Sequence, residues 1–366
     1  MHLHSLLWLA AAVMAAALLY RRVLGATCVA GLAALLYAVD DAHAVPAAYL
    51  ANRNALIASC LGFLSIVAFV RWGQQAWRWG AWLSALLLAL ALSAGEMGLA
   101  TAAYLFSYAL TLDRGTIRQR FGRLLPHAVV LGAWALVYRI GGFGSHGSGF
   151  YLDPLRDPLG FVAGFCARAA LLLMGQWTPI PAEMGLVFAP GTSEALALRL
   201  FSLAVVAALA GLFVPLLARD RVARFWGLGV LLALVPIAAV GPENRLLCFV
   251  GLGSMALLAQ LVQVACAEPS AGPVSRGWRR LSRTAVAVLL PLHLLVAPVL
   301  GVARVEYQAK VSSAMLRAIA SVPNDPEIAG QDLVLVNPPD HIYLVTAIPV
   351  VKELEKLPIP RRVQSQ

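Results

Sequence analysis

Apolar stretches long enough to cross a membrane recur along residues 3–303, so this chain cannot fold as a water-soluble globule. In hydrocarbon every backbone N–H and C=O must find its partner within the protein, which leaves helices or closed barrels. Runs of sixteen or more residues such as 23–38, rather than short alternating segments, select helices. Composition agrees, with 60% hydrophobic residues, 13% charged residues and a mean hydropathy of +0.78. The expected fold is an all-α polytopic membrane protein whose first partner is the lipid bilayer.

The net charge of +10 does not point to nucleic acid. It comes from 25 arginines and three lysines, and most of the arginines sit in short clusters between apolar runs, where topology-setting charges belong. The clusters are Arg21 and Arg22; Arg71 and Arg78; Arg114, Arg118, Arg120 and Arg123; Arg219, Arg221 and Arg224; and Arg276, Arg279, Arg280 and Arg283. Placing all five in the cytoplasm requires an even number of crossings between neighbours. The result is about ten crossings within a transmembrane domain over residues 1–303. Residues 79–112 turn at Gly95 and Glu96, and 160–175, interrupted by Arg168, reads as a re-entrant or interfacial helix. Residues 304–366 follow as a small extracytoplasmic α/β tail, with a helix over 305–321, a strand over 331–336 and a turn at 337–340. The five cysteines are scattered without metal-ligand spacing and read as small buried apolar groups.

Residues 39–54 hold Asp40, Asp41, His43, Arg53 and Asn54 between two uncharged apolar segments. Burying such groups in lipid costs several kcal/mol each, so they belong in water or a polar cavity. Sorted by side, the outer loops also hold Glu96, Asp153, Asp157, Glu183, Glu194 and Glu243, with Arg53, Arg156, Arg168 and Arg245. Carboxylates act as general bases or hold a divalent ion, and both alternatives stay open, although no metal ligands are assigned. Arginines clamp phosphate through two parallel hydrogen bonds. Asp40, Asp41 and Glu96 are therefore the candidate catalytic acids, with Asp40 the solvated member of the adjacent pair. His43, Arg53, Asn54, Arg156 and Arg245 are candidate substrate-binding residues.

The opening His-Leu-His-Ser-Leu-Leu-Trp helix, the loop ending Tyr49-Leu-Ala-Asn-Arg53-Asn-Ala-Leu and the later Leu-Ser-Ala-Gly-Glu96-Met-Gly together resemble GT-C-type membrane glycosyltransferases. The likeness is to bacterial relatives of the tetratricopeptide-linked O-mannosyltransferases and covers about residues 1–125. Those proteins have a His-Pro-x-x-x-Glu loop closing on an Arg-x-Asp-Leu-Leu helix, then Ser-Lys-Glu. Arg53 and Glu96 match, whereas Asp40-Asp41, Val45 and Gly95 depart from the pattern. The resemblance implies a polyprenyl-phosphate sugar donor, transfer to an acceptor on the extracytoplasmic side of the bacterial inner membrane, an acidic base, and arginines on the lipid phosphate. It also implies an upstream helix and first external loop carrying the family's principal aspartates, so the chain reads as beginning partway into its parent fold. A transporter or lipid flippase with Arg168 on its path, and an inactive membrane scaffold, are the other two classes the residues allow.

The topology is testable by labelling. With the native cysteines replaced, a cysteine at Gly147 or Thr192 reacts with an impermeant maleimide from outside; protection of either breaks the assignment of 141–196 to the outer side.

Overall fold

The computed structural model describes residues 2–143, 152, 157–189, 191–267, 275–336 and 341–365. They fall into two compact units, Met1–Gly301 and Val302–Gln366.

Among the described residues, every regular element of the first unit is a helix. In order it holds α1 (His2–Leu24), α2 (Cys28–Ala38), α3 (Ala44–Ala48), α4 (Arg53–Gln75), α5 (Gly80–Ala94), α6 (Ala100–Thr111) and α7 (Ile117–Ile140). Then come α8 (Pro158–Trp177), α9 (Met184–Val187), α10 (Ser193–Arg219), α11 (Arg221–Ile237), α12 (Cys248–Cys266) and α13 (Arg276–Pro291). A single π turn, Leu292–Val296, leads into α14 (Ala297–Ala320), inside which the unit boundary falls. Among the described residues seven helices are long and apolar enough to span a membrane, or eight if the bent pair Cys28–Ala38 and Asp41–Ala48 makes one span. The chain is therefore polytopic. Each stretch counted among the ten crossings is helical, but α5, α6 and α11 have only 15, 12 and 17 residues.

Local chemistry sets the helix starts. Thr27, Thr116, Asp157, Thr192, Asp220 and Ser275 each accept a hydrogen bond from a backbone N–H in the first turn that would otherwise lack a partner. Thr116 and Gln119 cap α7 reciprocally, and Pro158 opens α8, where its missing N–H costs nothing.

Hydrogen bonds sort the polar residues to two ends. At one end Arg123 Nη1 donates to Asp113 Oδ2 (2.6 Å), Arg221 to the Thr111 carbonyl, Gln260 to Asp220 and Arg283 to the Ala265 carbonyl. Arg219 lies over the Trp278 ring at the same end. At the other, Arg53 Nε donates to Ser5 Oγ (2.9 Å), Tyr138 to Glu96 and Arg245 to Glu243. The arginine clusters thus lie opposite Glu96 and Arg53.

Helix α8 is continuous for 20 residues, or about 30 Å, long enough to cross. Its contacts nevertheless go to the Glu96 end. Arg168 Nη1 donates to the Ala238 and Ala239 carbonyls (3.1 and 3.0 Å), just past α11, and Gly175 packs against Asn244, just before α12. The structure thus replaces the short interrupted segment expected over 160–175 with a full helix, held along its length at one side.

The core centres on α12, buried along most of its length by α2, α4, α11 and α13. A Cβ on Gly253 would meet Val230 Cγ2 at 2.5 Å, and one on Gly62 would meet Phe249 Cζ at 2.7 Å, so both glycines are required for the helices to approach this closely.

In the second unit β1 (Asp332–Leu335) pairs in parallel with β2 (Arg362–Ser365), with α15 (His341–Leu354) between them in sequence. Val322, Ile328 and Ile348 form its small core. The expected turn at 337–340 lies outside the described residues. The hydrogen bond from Arg361 (2.8 Å) holds the exposed Asp332 carboxyl below its ordinary value. Whatever that pair contributes is present at neutral pH and is lost as pH falls through the lowered value. Lys352 is only 2% exposed, and its Nζ donates to the Val322 and Pro323 carbonyls and Asn324 Oδ1 (3.2, 2.6 and 2.6 Å). Lys352→Ala leaves those acceptors without a donor, at a cost of about 2–4 kcal/mol. Limited proteolysis of the full chain should then cut within 302–366 first; an unchanged cleavage pattern refutes the role of Lys352.

Candidate functional site

A cavity of about 1350 Å³ lies where the ends of α4, α5, α7 and α11 meet. It exists because the chain breaks at Gly95-Glu96. A Cβ on Gly98 would come within 2.7 Å of the Ala91 carbonyl carbon, so only glycine lets the 3-10 turn Glu96–Leu99 fold back on α5. That turn points the half-buried Glu96 toward α7, where the Tyr138 hydroxyl donates to its carboxylate. Asn52, Asn54 and Arg139 join them at the polar end of the cavity. The remaining wall is apolar, with Leu99, Phe106, Leu136, Leu232 and Val235 prominent. The guanidinium of Arg139 has no hydrogen-bond or ionic partner among the described residues and lies exposed at the last turn of α7. A cationic group beside an acid and two amides, above a long greasy wall, matches an amphipathic ligand with an anionic head.

Of the candidate residues from the sequence, Glu96 and Asn54 come together here. Arg53, beside Asn54, extends toward α1 and Ser5. Arg245 is paired with Glu243 through Nη2 to Oε1 at 3.0 Å and through Nε. Arg156 lies outside the described residues. Tyr138, Arg139 and Asn52 were not expected. The signal for Tyr138 and Arg139 is a Tyr-Arg pair closing an apolar run just before the glycine-rich segment, which reads in isolation as an ordinary helix end; Asn52 lies within the polar stretch 39–54.

Asp40 and His43 form a separate buried cluster. Asp40 is 6% exposed, not solvated as expected, and it is Asp41 that is half-exposed. Asp40 Oδ1 accepts the Ala42 N–H (2.9 Å), and Oδ2 accepts Gln176 Nε2 (2.8 Å) from the end of α8. Gly251 makes room for this, since a Cβ there would lie 3.2 Å from Oδ2. The position is recessed. Near Gly253 α12 runs beside Val230, so the carboxylate sits roughly 10 Å below the end of α11. His43 is 3% exposed, its ring edge-on to Tyr37 at 4.6 Å, and neither ring nitrogen has a hydrogen-bond partner among the described residues. No three His, Cys, Asp or Glu side chains among the described residues are arranged to hold a metal ion. The donors of Asp40 are an amide and a backbone N–H, which suits a bare carboxylate and not a metal shell.

No family model, curated protein or solved structure matches the chain.

Gln176→Leu removes one of the two donors to a buried carboxylate, and about 1–3 kcal/mol of stability should go with it. Melting followed by tryptophan fluorescence measures this, and an unshifted transition would show that α8 is not fastened through Asp40.

Proposed function

We propose that the chain is a GT-C-like membrane glycosyltransferase that takes a sugar from a polyprenyl-phosphate donor and passes it to an acceptor on the extracytoplasmic face. Ten crossings, cytoplasmic arginine clusters and an extracytoplasmic tail in a bacterial inner membrane belong to the same reading. The observation that carries it is the cavity, apolar over most of its wall, whose lining includes both an acid, Glu96, and an arginine, Arg139, that has no partner among the described residues. The prenyl chain lies along Leu99, Phe106, Leu136 and Leu232, and the phosphate sits at Arg139 within reach of Asn52 and Asn54. Glu96 accepts the proton of the acceptor hydroxyl as the acceptor oxygen bonds to the sugar's anomeric carbon. The C–O bond to the lipid phosphate breaks with its electron pair, and the charge left on phosphate meets Arg139. Tyr138 holds the Glu96 carboxylate in position. Asp40, deep in the bundle, takes a positioning role and does not touch the donor.

The experiment uses the full chain in lipid nanodiscs with a radiolabelled polyprenyl-phosphate hexose. Gly132 lines the cavity, and no atom lies within 4 Å of where its Cβ would be, so Gly132→Leu fills the site without overpacking the fold. Binding of the lipid should be lost in Gly132→Leu and weakened about tenfold or more in Arg139→Gln. Glu96→Gln should keep binding while transfer falls on the order of 100-fold or more. Wild-type binding without turnover would leave a lipid carrier or scaffold. A lipid that binds equally to Gly132→Leu would remove the cavity from any function.

A further inference from the structure

A second, smaller pocket of about 360 Å³ lies between α8, α9, α10 and the turn at Gly241-Pro242, sharing Leu152 with the Glu96 cavity but none of its polar side chains. Its wall carries two arginines, Arg168 of α8 and Arg199 of α10, and no acidic side chain among the described residues that line it. Arg168 is half-buried. Its Nη1 is spent on the Ala238 and Ala239 carbonyls, which fixes the guanidinium in the wall, while its Nε and Nη2 make no hydrogen bond to described residues. The Arg199 guanidinium has no partner among them at all.

This arrangement is unfavourable as it stands. Arg199 lies about 9 Å along α10 from its first residue, in one of the helices apolar enough to span, and a charge there is costly unless something neutralises it. Two guanidinium groups sharing one small concavity also repel each other. Arginine presents a planar fork of donors that fits phosphate oxygens, and two such forks without a competing carboxylate make an anion site. Leu171, Leu186, Phe188 and Leu198 supply an apolar rim to the same pocket.

The structure assigns this pocket as a binding site for a phosphate-bearing anion, held between Arg168 and Arg199. It is independent of the glycosyltransferase reading, because neither arginine lines the Glu96 cavity. Its phosphate comes either from the headgroup of an anionic phospholipid, with the acyl chains on the apolar rim, or from a soluble phosphate.

The test is the thermal melting of the full chain in neutral detergent, titrated with phosphatidylglycerol, phosphatidylcholine or inorganic phosphate. Phosphatidylglycerol at tenfold its dissociation constant should raise the midpoint by a few degrees, and phosphatidylcholine should not. A matching shift with inorganic phosphate makes the ligand a soluble anion; a shift with phosphatidylglycerol alone makes it a lipid. Arg199→Gln, at an exposed side chain with no other partner among the described residues, should weaken binding tenfold or more, with Arg199→Lys intermediate. No shift with either phosphate source overturns the assignment, as does a phosphatidylglycerol shift that survives undiminished in Arg199→Gln.

Discussion

Three tyrosine hydroxyls meet at the start of α12, and the rest of the bundle is built around that meeting. Tyr20 of α1 donates to the Leu252 carbonyl (2.7 Å), Tyr37 of α2 to Cys248 (3.1 Å) and Tyr104 of α6 to Phe249 (2.6 Å). Each hydroxyl is buried, so each needs an acceptor, and a helical carbonyl retains a second lone pair after its own helix has used the first. Lipid chains are as apolar as leucine and give helices no reason to associate, so such bonds and the close approaches at Gly62, Gly229 and Gly253 must hold the bundle together. The aromatic rings that carry the hydroxyls also touch one another, Tyr20 with Tyr37 and Trp226, and Tyr104 with Phe225 and Trp226. One arrangement therefore fixes the depth and rotation of α12 against three other helices.

From that fixed centre follow both polar sites. Because α12 starts somewhat below the end of α11, the chain leading into it descends into the protein. Asn244 is accordingly buried, accepting the Ala182 N–H through its side chain (2.8 Å). Asp40 reaches the same level because α2 has only 11 residues, about 16 Å, against about 34 Å for α1. The Glu96 cavity lies nearer the end of the bundle, where α11 and α7 continue past these shorter neighbours and leave a space between them. The Glu96 and Asp40 carboxyls are thus separated by depth.

What the sequence made legible followed from local rules. Uncharged runs became helices, Gly95-Glu96 became a turn, and the arginine clusters gathered at one end because each lies beside a helix terminus. What it could not show depends on partners far along the chain. Asp40 was expected in water because an adjacent pair of carboxylates at a helix end usually is, and the residue that buries it, Gln176, lies 136 positions away. Arg139 escaped notice because its meaning comes from Asn54 and Glu96 across a cavity. Helix α8 misled in a different way: Arg168 breaks its apolar run in sequence, yet two backbone carbonyls at 238 and 239 absorb the charge and the helix continues through it.

The enclosure of α12 has a consequence for how the protein is made. Synthesis proceeds from the N-terminus, so α1, α2, α4 and α11 enter the membrane before the helix they surround exists. Until it arrives, the hydroxyls of Tyr20, Tyr37 and Tyr104 lack their final acceptors. A nearly lipid-free helix must then enter among neighbours already inserted, and α13, which follows it in the chain, completes the enclosure.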